Sequence, residues 1–320
     1  MRKLMPVRTR GTRGARSGRA DRGYVTVLVL TVAGLLAALV AATLHVARPS
    51  LGQAVLNSDE LQADGLIEGG IAAAGYALYA AKKPLNAVNG AVLPFETGAV
   101  RLTVKTEAGR VDLNGAKPDL LQRVYSAVGG RGMSPQSFAA RIIDWRDSNS
   151  KPKQGGAEQD EYRGAGLNYG PRNAPFQSVG ELRFVAGMTD EEFALLTPYL
   201  TVFSPDGLID PSSAEQTVLL AVPEMTGGQA SSLIQAFSNP EAKPKDLKEM
   251  VRPFRKYLTS RPGNVYRITV EARLTGGYAK SVEAVIMPGR NKSVYRVLYW
   301  RVVPAPILAA GTDAAQGASL

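Results

Sequence analysis

The strongest hydrophobic pattern lies near the start of the chain. Residues 24–46 carry no charged side chain and read YVTVLVLTVAGLLAALVAATLHV. A helix rises 1.5 Å per residue, so a run of this length spans roughly the 30 Å hydrocarbon core of a bilayer. A secretory signal has an apolar region of only about 7–15 residues. The pattern therefore predicts a retained transmembrane helix over residues 24–47.

The segment before this run is strongly basic. Residues 1–23 hold eight lysines and arginines against the single acid Asp21. Positive charge beside a membrane span stays on the cytoplasmic side. We therefore expect a single-pass membrane protein whose N-terminus stays in the cytoplasm and whose chain after the span is exported.

A second helical pattern follows the predicted span. Leu66, Ile71 and Leu78 recur near helical spacing, while acidic residues occupy the other faces. The helix is predicted to stop at Lys83-Pro84, because proline cannot continue it. This amphipathic stripe fits a helix that caps its own domain and equally a packing face for neighbouring subunits.

Four later segments alternate between apolar and polar residues, which is the pattern of half-buried strands. The first is Thr97–Thr106, and the others form a predicted antiparallel meander at 265–274, 279–287 and 294–301. Short helical segments lie between the first strand and the meander. The predicted fold class is therefore α+β.

Composition narrows the classes of function. The net charge of +10 falls to +3 once the basic leader is set aside, so the basicity reflects membrane topology and not nucleic-acid binding. The chain has no cysteine, and its one histidine, His45, lies inside the predicted span. These facts argue against Ser/His and Cys/His nucleophiles, and we expect no enzymatic activity. A Ser/Lys dyad or a carboxylate pair stays open, although no spacing points to one.

The junction between leader and span resembles the class III leader of prepilins and pseudopilins. Gly23 lies at the cytoplasmic edge and Tyr24 opens the apolar helix. The resemblance implies cleavage between these two residues by the prepilin peptidase, with methylation of Tyr24. It also implies a glutamate five residues after the cut, where this chain has Leu28.

The sequence TEAGRVDLN at 106–114 and an ordered series of motifs after it resemble the general secretion pathway protein K family, the K-type minor pseudopilins of type II secretion systems. The series includes FAARIIDWRD at 138–147, GAE at 156–158, NAPF at 173–176 and SVGELR at 178–183, and the resemblance covers residues 97–225.

That resemblance implies a pseudopilin fold, in which a long N-terminal transmembrane helix packs on an antiparallel sheet. A large α-helical SAM-like or helix-hairpin-helix domain is inserted into it. The expected organisation is a leader at 1–23, the span at 24–47, a periplasmic stem with first strands at 48–105, the inserted domain at 106–215, a further helical hairpin and C-terminal sheet at 216–301, and a flexible tail at 302–320.

Helix-hairpin-helix units also occur in nucleic-acid-binding proteins, where backbone N–H groups of a glycine-rich hairpin meet phosphates. Val128–Gly132 fits such a hairpin. Residues 106–215, however, contain 11 basic and 15 acidic residues. Because nucleic-acid binding depends on neutralising phosphates, we expect no nucleic-acid partner, and the glycines are interpreted as turn residues.

The loop at 144–162, DWRDSNSKPKQGGAEQDEY, holds the candidate metal ligands. Ca²⁺ takes 6–8 oxygen ligands, and oxygen-bearing side chains flank this loop at both ends. The order of residues fails the EF-hand pattern, Lys151 and Lys153 weaken the negative field, and a solvated acidic loop remains the alternative. The resemblance implies a structural Ca²⁺, for which the candidate ligands are Asp144, Asp147, Asn149, Glu158, Asp160 and Glu161.

The resemblance further implies a minor pseudopilin that caps the tip of the periplasmic pseudopilus and takes part in its assembly. The implied partners are the I- and J-type minor pseudopilins, the major pseudopilin, the prepilin peptidase and the inner-membrane secretion platform. The alternative is a single-pass anchored periplasmic scaffold with an uncleaved N-terminus.

Overall fold

A computed structural model describes residues 21–204, 206–239, 241–261, 263–291 and 293–304. Residues 21–26 and 41–56 are described as helical backbone only. The leader up to residue 20, the side chains of Gly23 and Tyr24, and the tail from residue 305 lie outside this description. The chain divides into two compact units, Met1–Leu61 and Gln62–Leu320.

Helices and strands alternate in groups along the described chain. The helices are α1 (Asp21–Gly75), α2 (Leu85–Val88), α3 (Pro118–Ala127), α4 (Pro135–Arg146), α5 (Gln159–Gly164), α6 (Asp190–Leu196), α7 (Gln216–Leu220), α8 (Gly227–Ser238) and α9 (Pro244–Val251). The strands are β1 (Val92–Phe95), β2 (Gly98–Thr106), β3 (Val111–Asp112), β4 (Leu200–Thr201), β5 (Tyr266–Leu274), β6 (Ala279–Pro288) and β7 (Tyr295–Val303).

The first unit is helical wherever it is described. Every side chain from residue 27 to residue 40 is exposed, and all but Thr31 are apolar or glycine. The Thr31 hydroxyl is within 2.9 Å of the carbonyl oxygens of Val27 and Leu28, so it leaves no unsatisfied polar group on the surface. No helix in the described part of the chain meets the combined length and hydrophobicity needed to cross a bilayer.

In the second unit, five strands form an antiparallel sheet in the order β1-β2-β5-β6-β7. The chain leaves this sheet at the end of β2 and re-enters it at β5, where Thr106 and Tyr266 are direct partners. The β6–β7 register shifts between Val285 and Ile286. The prediction of mixed helices and antiparallel sheet is confirmed, while β1, which contains Pro94, was not predicted.

The C-terminal part of α1 covers one face of the sheet. Its buried residues recur every three or four positions, as an amphipathic helix requires, and they contact alternate residues of β2, β5 and β6. A side chain at Gly70 would place its Cβ 2.8 Å from Cγ1 of Val100. Glycine therefore allows the helix to approach the sheet closely. The buried helix residues are Ala63, Leu66, Ile67, Ile71 and Ala74.

A helical body occupies the chain between β2 and β5. One continuous apolar core runs through it from Val111 to Leu258 and includes α3, α4, α7 and α8. Short strands β3 and β4 pair in parallel within it. The predicted boundary between residues 215 and 216 falls inside this core, because Val218 and Leu219 are buried in the same cluster.

Helix α8 begins at a reciprocal cap. The Thr226 hydroxyl accepts the Gln229 N–H at 3.3 Å, and Oε1 of Gln229 accepts the Thr226 N–H at 2.9 Å. Thr226→Ala is expected to lower the free energy of unfolding by about 0.5–2 kcal/mol, because the first turn loses this acceptor. Urea denaturation measures the loss. The exposed Ser232→Ala on the same helix is the control, and equal losses in both variants would contradict the assignment.

Candidate functional site

The acidic loop, defined here as residues 144–162, leaves the C-terminal end of α4. This helix starts with Ser134 as N-cap, whose hydroxyl accepts the Ser137 N–H at 3.0 Å, and with Pro135 in its first turn. Phe138 and Ile142 bury its apolar side in the helical body. Packing of α4 thereby fixes the position of the carboxylates at its end.

Asp144 lies in the last turn of α4 and is completely buried. Its Oδ2 accepts the Ala157 N–H at 3.0 Å and the Lys153 N–H at 3.1 Å. The approach of the loop depends on Gly156, since a Cβ at that position would lie 1.9 Å from Oδ2 of Asp144. Asp144 therefore holds the loop segment from Lys153 to Ala157 against the helix.

Lys153 reaches the carboxylates at the end of α4 with its ammonium group. Its Nζ lies 2.5 Å from Oδ2 of Asp147 and 3.3 Å from Oδ1 of Asp144. The hydrogen bond to Asp147, followed by that to Asp144, raises the pKa of the Lys153 ammonium above its ordinary value against the opposing effect of burial. Lys153 thus stays charged and bridges the two carboxylates.

Glu158 supplies a third carboxylate on the opposite side of the loop. The residue is 3 % exposed and caps α5 together with Glu161. Within the described residues, neither of its carboxylate oxygens has a partner at full hydrogen-bond geometry. Burial raises the pKa of Glu158, and the negative charges of Asp144 and Asp147 raise it further. A buried acceptor of this kind is costly to leave unpaired, so this side chain is suited to a cation.

The other predicted ligands serve different contacts. Oδ1 of Asp160 pairs with Nη1 of Arg163 at 2.9 Å, and its side chain is 88 % exposed. Oε2 of Glu161 accepts the Glu158 N–H at 2.8 Å at the start of α5. Nδ2 of Asn149 donates to Asp147 at 2.7 Å. The six residues therefore do not converge on one point.

Across the described residues, no three histidine, cysteine or acidic side chains form a group ready to hold a metal ion. Among the predicted ligands, Asp144 and Asp147 act with their charges on Glu158. Both aspartates stand at the C-terminal end of α4, where the helix dipole is negative and a cation is stabilising. The chemistry of these donors fits a cation, and the Ca²⁺ assignment stays a prediction.

The glycine-rich hairpin at Val128–Gly132 is organised around a second buried carboxylate. Oε1 of Glu192 accepts the Arg131 N–H at 3.1 Å and the Gly132 N–H at 2.6 Å, and it also accepts the Tyr125 hydroxyl. Burial and the hydrogen bond to Glu192 raise the pKa of Tyr125. The N–H groups that a phosphate would need are thus already bound within the protein.

A third charged network joins the helical body to the sheet, and no pattern in the sequence predicts it. Glu107 is fully buried and follows β2, while Arg267 lies on β5. Nε of Arg267 lies 2.5 Å from Oε1 of Glu107, and its Nη1 lies 2.6 Å from Oε1 of Glu283. The Thr201 hydroxyl donates to the Glu107 carboxylate. Alternation in β5 predicts only that Arg267 lies on the face opposite to the helix α1.

The predicted processing site lies at the edge of the description. The side chains of Gly23 and Tyr24 are outside it, and only their helical backbone is placed. Leu28 lies on α1 and is 52 % exposed.

A family model described as "Type II secretion system (T2SS), protein K", first domain, matches residues 100–205. This range starts in β2 and includes β4, so it contains the acidic loop, the glycine-rich hairpin and Glu107.

Curated relatives carry the same description. The type II secretion system protein K of Pseudomonas aeruginosa is 28% identical over 181 residues, which cover 52% of this chain and 52% of the relative. That of Klebsiella pneumoniae is 28% identical over 37% of this chain and 38% of the relative. That of Dickeya chrysanthemi is 33% identical over 29% of this chain and 27% of the relative. The chain spans about half the length of the Pseudomonas relative, and less of the others.

A solved structure shares the fold. A chain from the GspK–GspI–GspJ complex of the type 2 secretion system of enterotoxigenic Escherichia coli aligns with a TM-score of 0.60. The alignment covers 78% of this chain and 98% of the other at 14% sequence identity.

Proposed function

We propose that this chain, which belongs to the type II secretion system protein K family, functions as a minor pseudopilin. The protein would cap the tip of a periplasmic pseudopilus and take part in its assembly for the export of folded proteins. The observation that carries the proposal is the interruption of one five-stranded sheet, after β2, by a helical body that contains most of the family match.

Two features of α1 support assembly into a filament. Residues 27–40 present apolar side chains around the whole helix, which suits a helix that packs first in lipid and then against other helices. The part of α1 from Ala63 to Ala74 is held by the sheet of its own chain. The helix therefore combines an exposed apolar segment with one that packs on the sheet, and the inner membrane is its proposed location before assembly.

Two features support a position at the tip: the size of the helical body and the uncharged residue at position 28. The helical body between β2 and β5 projects from the sheet as a separate core and would hinder addition of a subunit beyond it. Leu28 stands where the family leader implies a glutamate, and a subunit with no neighbour above it does not need that carboxylate. Leucine also avoids an unpaired charge in lipid.

The proposed partners are the I- and J-type minor pseudopilins, since the chain with the same fold was solved as a GspK–GspI–GspJ complex. Contact with the major pseudopilin and the inner-membrane platform follows from the tip role. The role is structural, without a catalytic step.

The acidic loop is proposed to hold a structural Ca²⁺ through Asp144, Asp147 and Glu158. The bound ion would neutralise carboxylates at the end of α4 and tie them to the start of α5. Glu158 supports this assignment, because its carboxylate is buried beside the negative charges of Asp144 and Asp147.

N-terminal mass analysis of the membrane-extracted protein tests the function directly. With an active prepilin peptidase we expect a chain that starts at N-methylated Tyr24, and without the peptidase we expect the leader to remain. Gly23→Val is expected to abolish cleavage, because the peptidase must accommodate the residue before the cut. Gly18→Val, five residues upstream, is the matched control and should be cut normally.

An uncut or differently cut N-terminus in the presence of the peptidase would contradict the pseudopilin function. That result would favour the alternative, a single-pass anchored periplasmic scaffold.

A further inference from the structure

We propose that the ammonium of Lys153 acts as the cation of the acidic loop when no Ca²⁺ is bound. The ammonium then holds Asp144 and Asp147 together, and it must be displaced before Ca²⁺ can bind. The proposal deepens the calcium assignment of the proposed function. It does not depend on the role of the chain in the pseudopilus.

The geometry places the ammonium where a shared metal ion would be needed. Nζ of Lys153 lies 2.5 Å from Asp147 and 3.3 Å from Asp144, so one cation serves two carboxylates. Asp144 is fully buried, which separates this bridge from ordinary surface ion pairs of negligible strength. Charge-assisted hydrogen bonds at such a site are among the stronger polar contacts in proteins.

A single ammonium leaves the loop incompletely neutralised. Asp144, Asp147 and Glu158 together carry three potential negative charges, whereas Lys153 and the guanidinium of Arg146, which interacts with Asp147, supply two positive charges. Among the described residues, Lys153 makes no hydrogen bond to Glu158, and no donor reaches the two buried oxygens of Glu158 at full hydrogen-bond geometry. A divalent ion is therefore the chemistry that this cluster still lacks, and Glu158 is the donor that the lysine leaves unused.

The lysine side chain can leave without unfolding the loop. It is 39 % exposed, so its path to solvent is short. The backbone of the same residue is held separately, since its N–H donates to Asp144 at 3.1 Å and its carbonyl oxygen accepts the Gly156 N–H at 2.7 Å. Removal of the ammonium should thus change the charge of the site while the loop keeps its path.

Calcium titration of the detergent-solubilised full chain tests the exchange. Wild type, Lys153→Met and Lys151→Met are compared by isothermal calorimetry with CaCl₂, and by melting temperature in EDTA and in Ca²⁺. Methionine keeps most of the length and apolar character of lysine but has no charge. Lys151, whose backbone N–H donates to Asn149 at 2.9 Å, is the matched control. It lies in the same loop and, within the described residues, forms no ion pair with Asp144 or Asp147.

Lys153→Met is expected to bind Ca²⁺ at least about tenfold more tightly than wild type, since binding no longer breaks charge-assisted hydrogen bonds. In EDTA the variant should melt at a lower temperature than wild type. Addition of Ca²⁺ should raise its melting temperature and remove this difference. Lys151→Met should resemble wild type in both measurements.

Equal Ca²⁺ affinity in wild type and Lys153→Met would overturn the exchange while leaving the calcium assignment intact. Absence of Ca²⁺ binding to both proteins would overturn the calcium assignment together with the exchange. Neither result alters the N-terminal mass measurement, so failure of the pseudopilin function is distinguished independently.

Discussion

Arg267→Met is expected to lower the free energy of unfolding by about 3–5 kcal/mol, which is the usual cost of removing one partner from a buried ion pair. The Arg267 side chain is 12 % exposed and the Glu107 side chain is fully buried. Without the guanidinium, Glu107 keeps the hydrogen bond from the Thr201 hydroxyl and the nearby charge of Arg110, but no ion pair within the described chain. Glu283 retains Arg301 at 3.3 Å, so most of the loss is expected to arise at Glu107.

Urea denaturation followed by tryptophan fluorescence measures this loss. Arg273→Met, at an exposed position on the same strand, is the control and should change stability by less than about 0.5 kcal/mol. The double variant Glu107→Gln, Arg267→Met should recover part of the loss, because an amide is less costly to bury than a carboxylate. A loss below about 1 kcal/mol in Arg267→Met would show that water reaches Glu107.

Phe138→Ala is the second large effect, with an expected loss of about 3–5 kcal/mol. Phe138 is completely buried in the core of the helical body, and its ring stacks on Tyr125 with a centroid distance of 4.6 Å. Truncation leaves a cavity and removes the aromatic contact that positions Tyr125 toward Glu192. The glycine-rich hairpin is therefore expected to loosen together with the core.

Fluorescence of Trp145, buried in the same core, reports the transition. Phe184→Ala removes the same atoms from a side chain that is 52 % exposed, so it should cost less than about 1 kcal/mol. Hydrogen exchange at Arg131 and Gly132 should accelerate in Phe138→Ala alone. Equal losses in the two variants would contradict the packing described here.

Local patterns were sufficient to predict much of the fold. Alternation identifies β2, β5, β6 and β7, and helical spacing identifies the buried stripe of α1, because in each element one face must be buried. The strand β1 was missed, since Pro94 and a length of four residues hide its alternation. The unity of the helical body was also missed, because the contact of α7 with α3 joins segments nearly a hundred residues apart, which no local period encodes.

The candidate site was predictable only in composition. The acidic loop is visible in the sequence, but the position of each carboxylate depends on tertiary contacts. Lys153 reaches Asp144 and Asp147 because Gly156 lets the loop close on α4, whereas Asp160 turns outward at the start of α5. Charge counting treats all these residues as equal. Burial separates Asp144 and Glu158 from the rest.

The pairing of β2 with β5 has a consequence for the order in which the protein is made. Glu107 and Arg267, which meet at this junction, are 160 residues apart in the chain. At about 5–20 residues per second, a ribosome needs roughly 10–30 s to extend the chain from one to the other. The whole core of the helical body is synthesised within that interval, whereas the apolar faces of α1 and β2 wait for their partner strand. The newborn chain therefore completes its inserted part before the sheet that carries it.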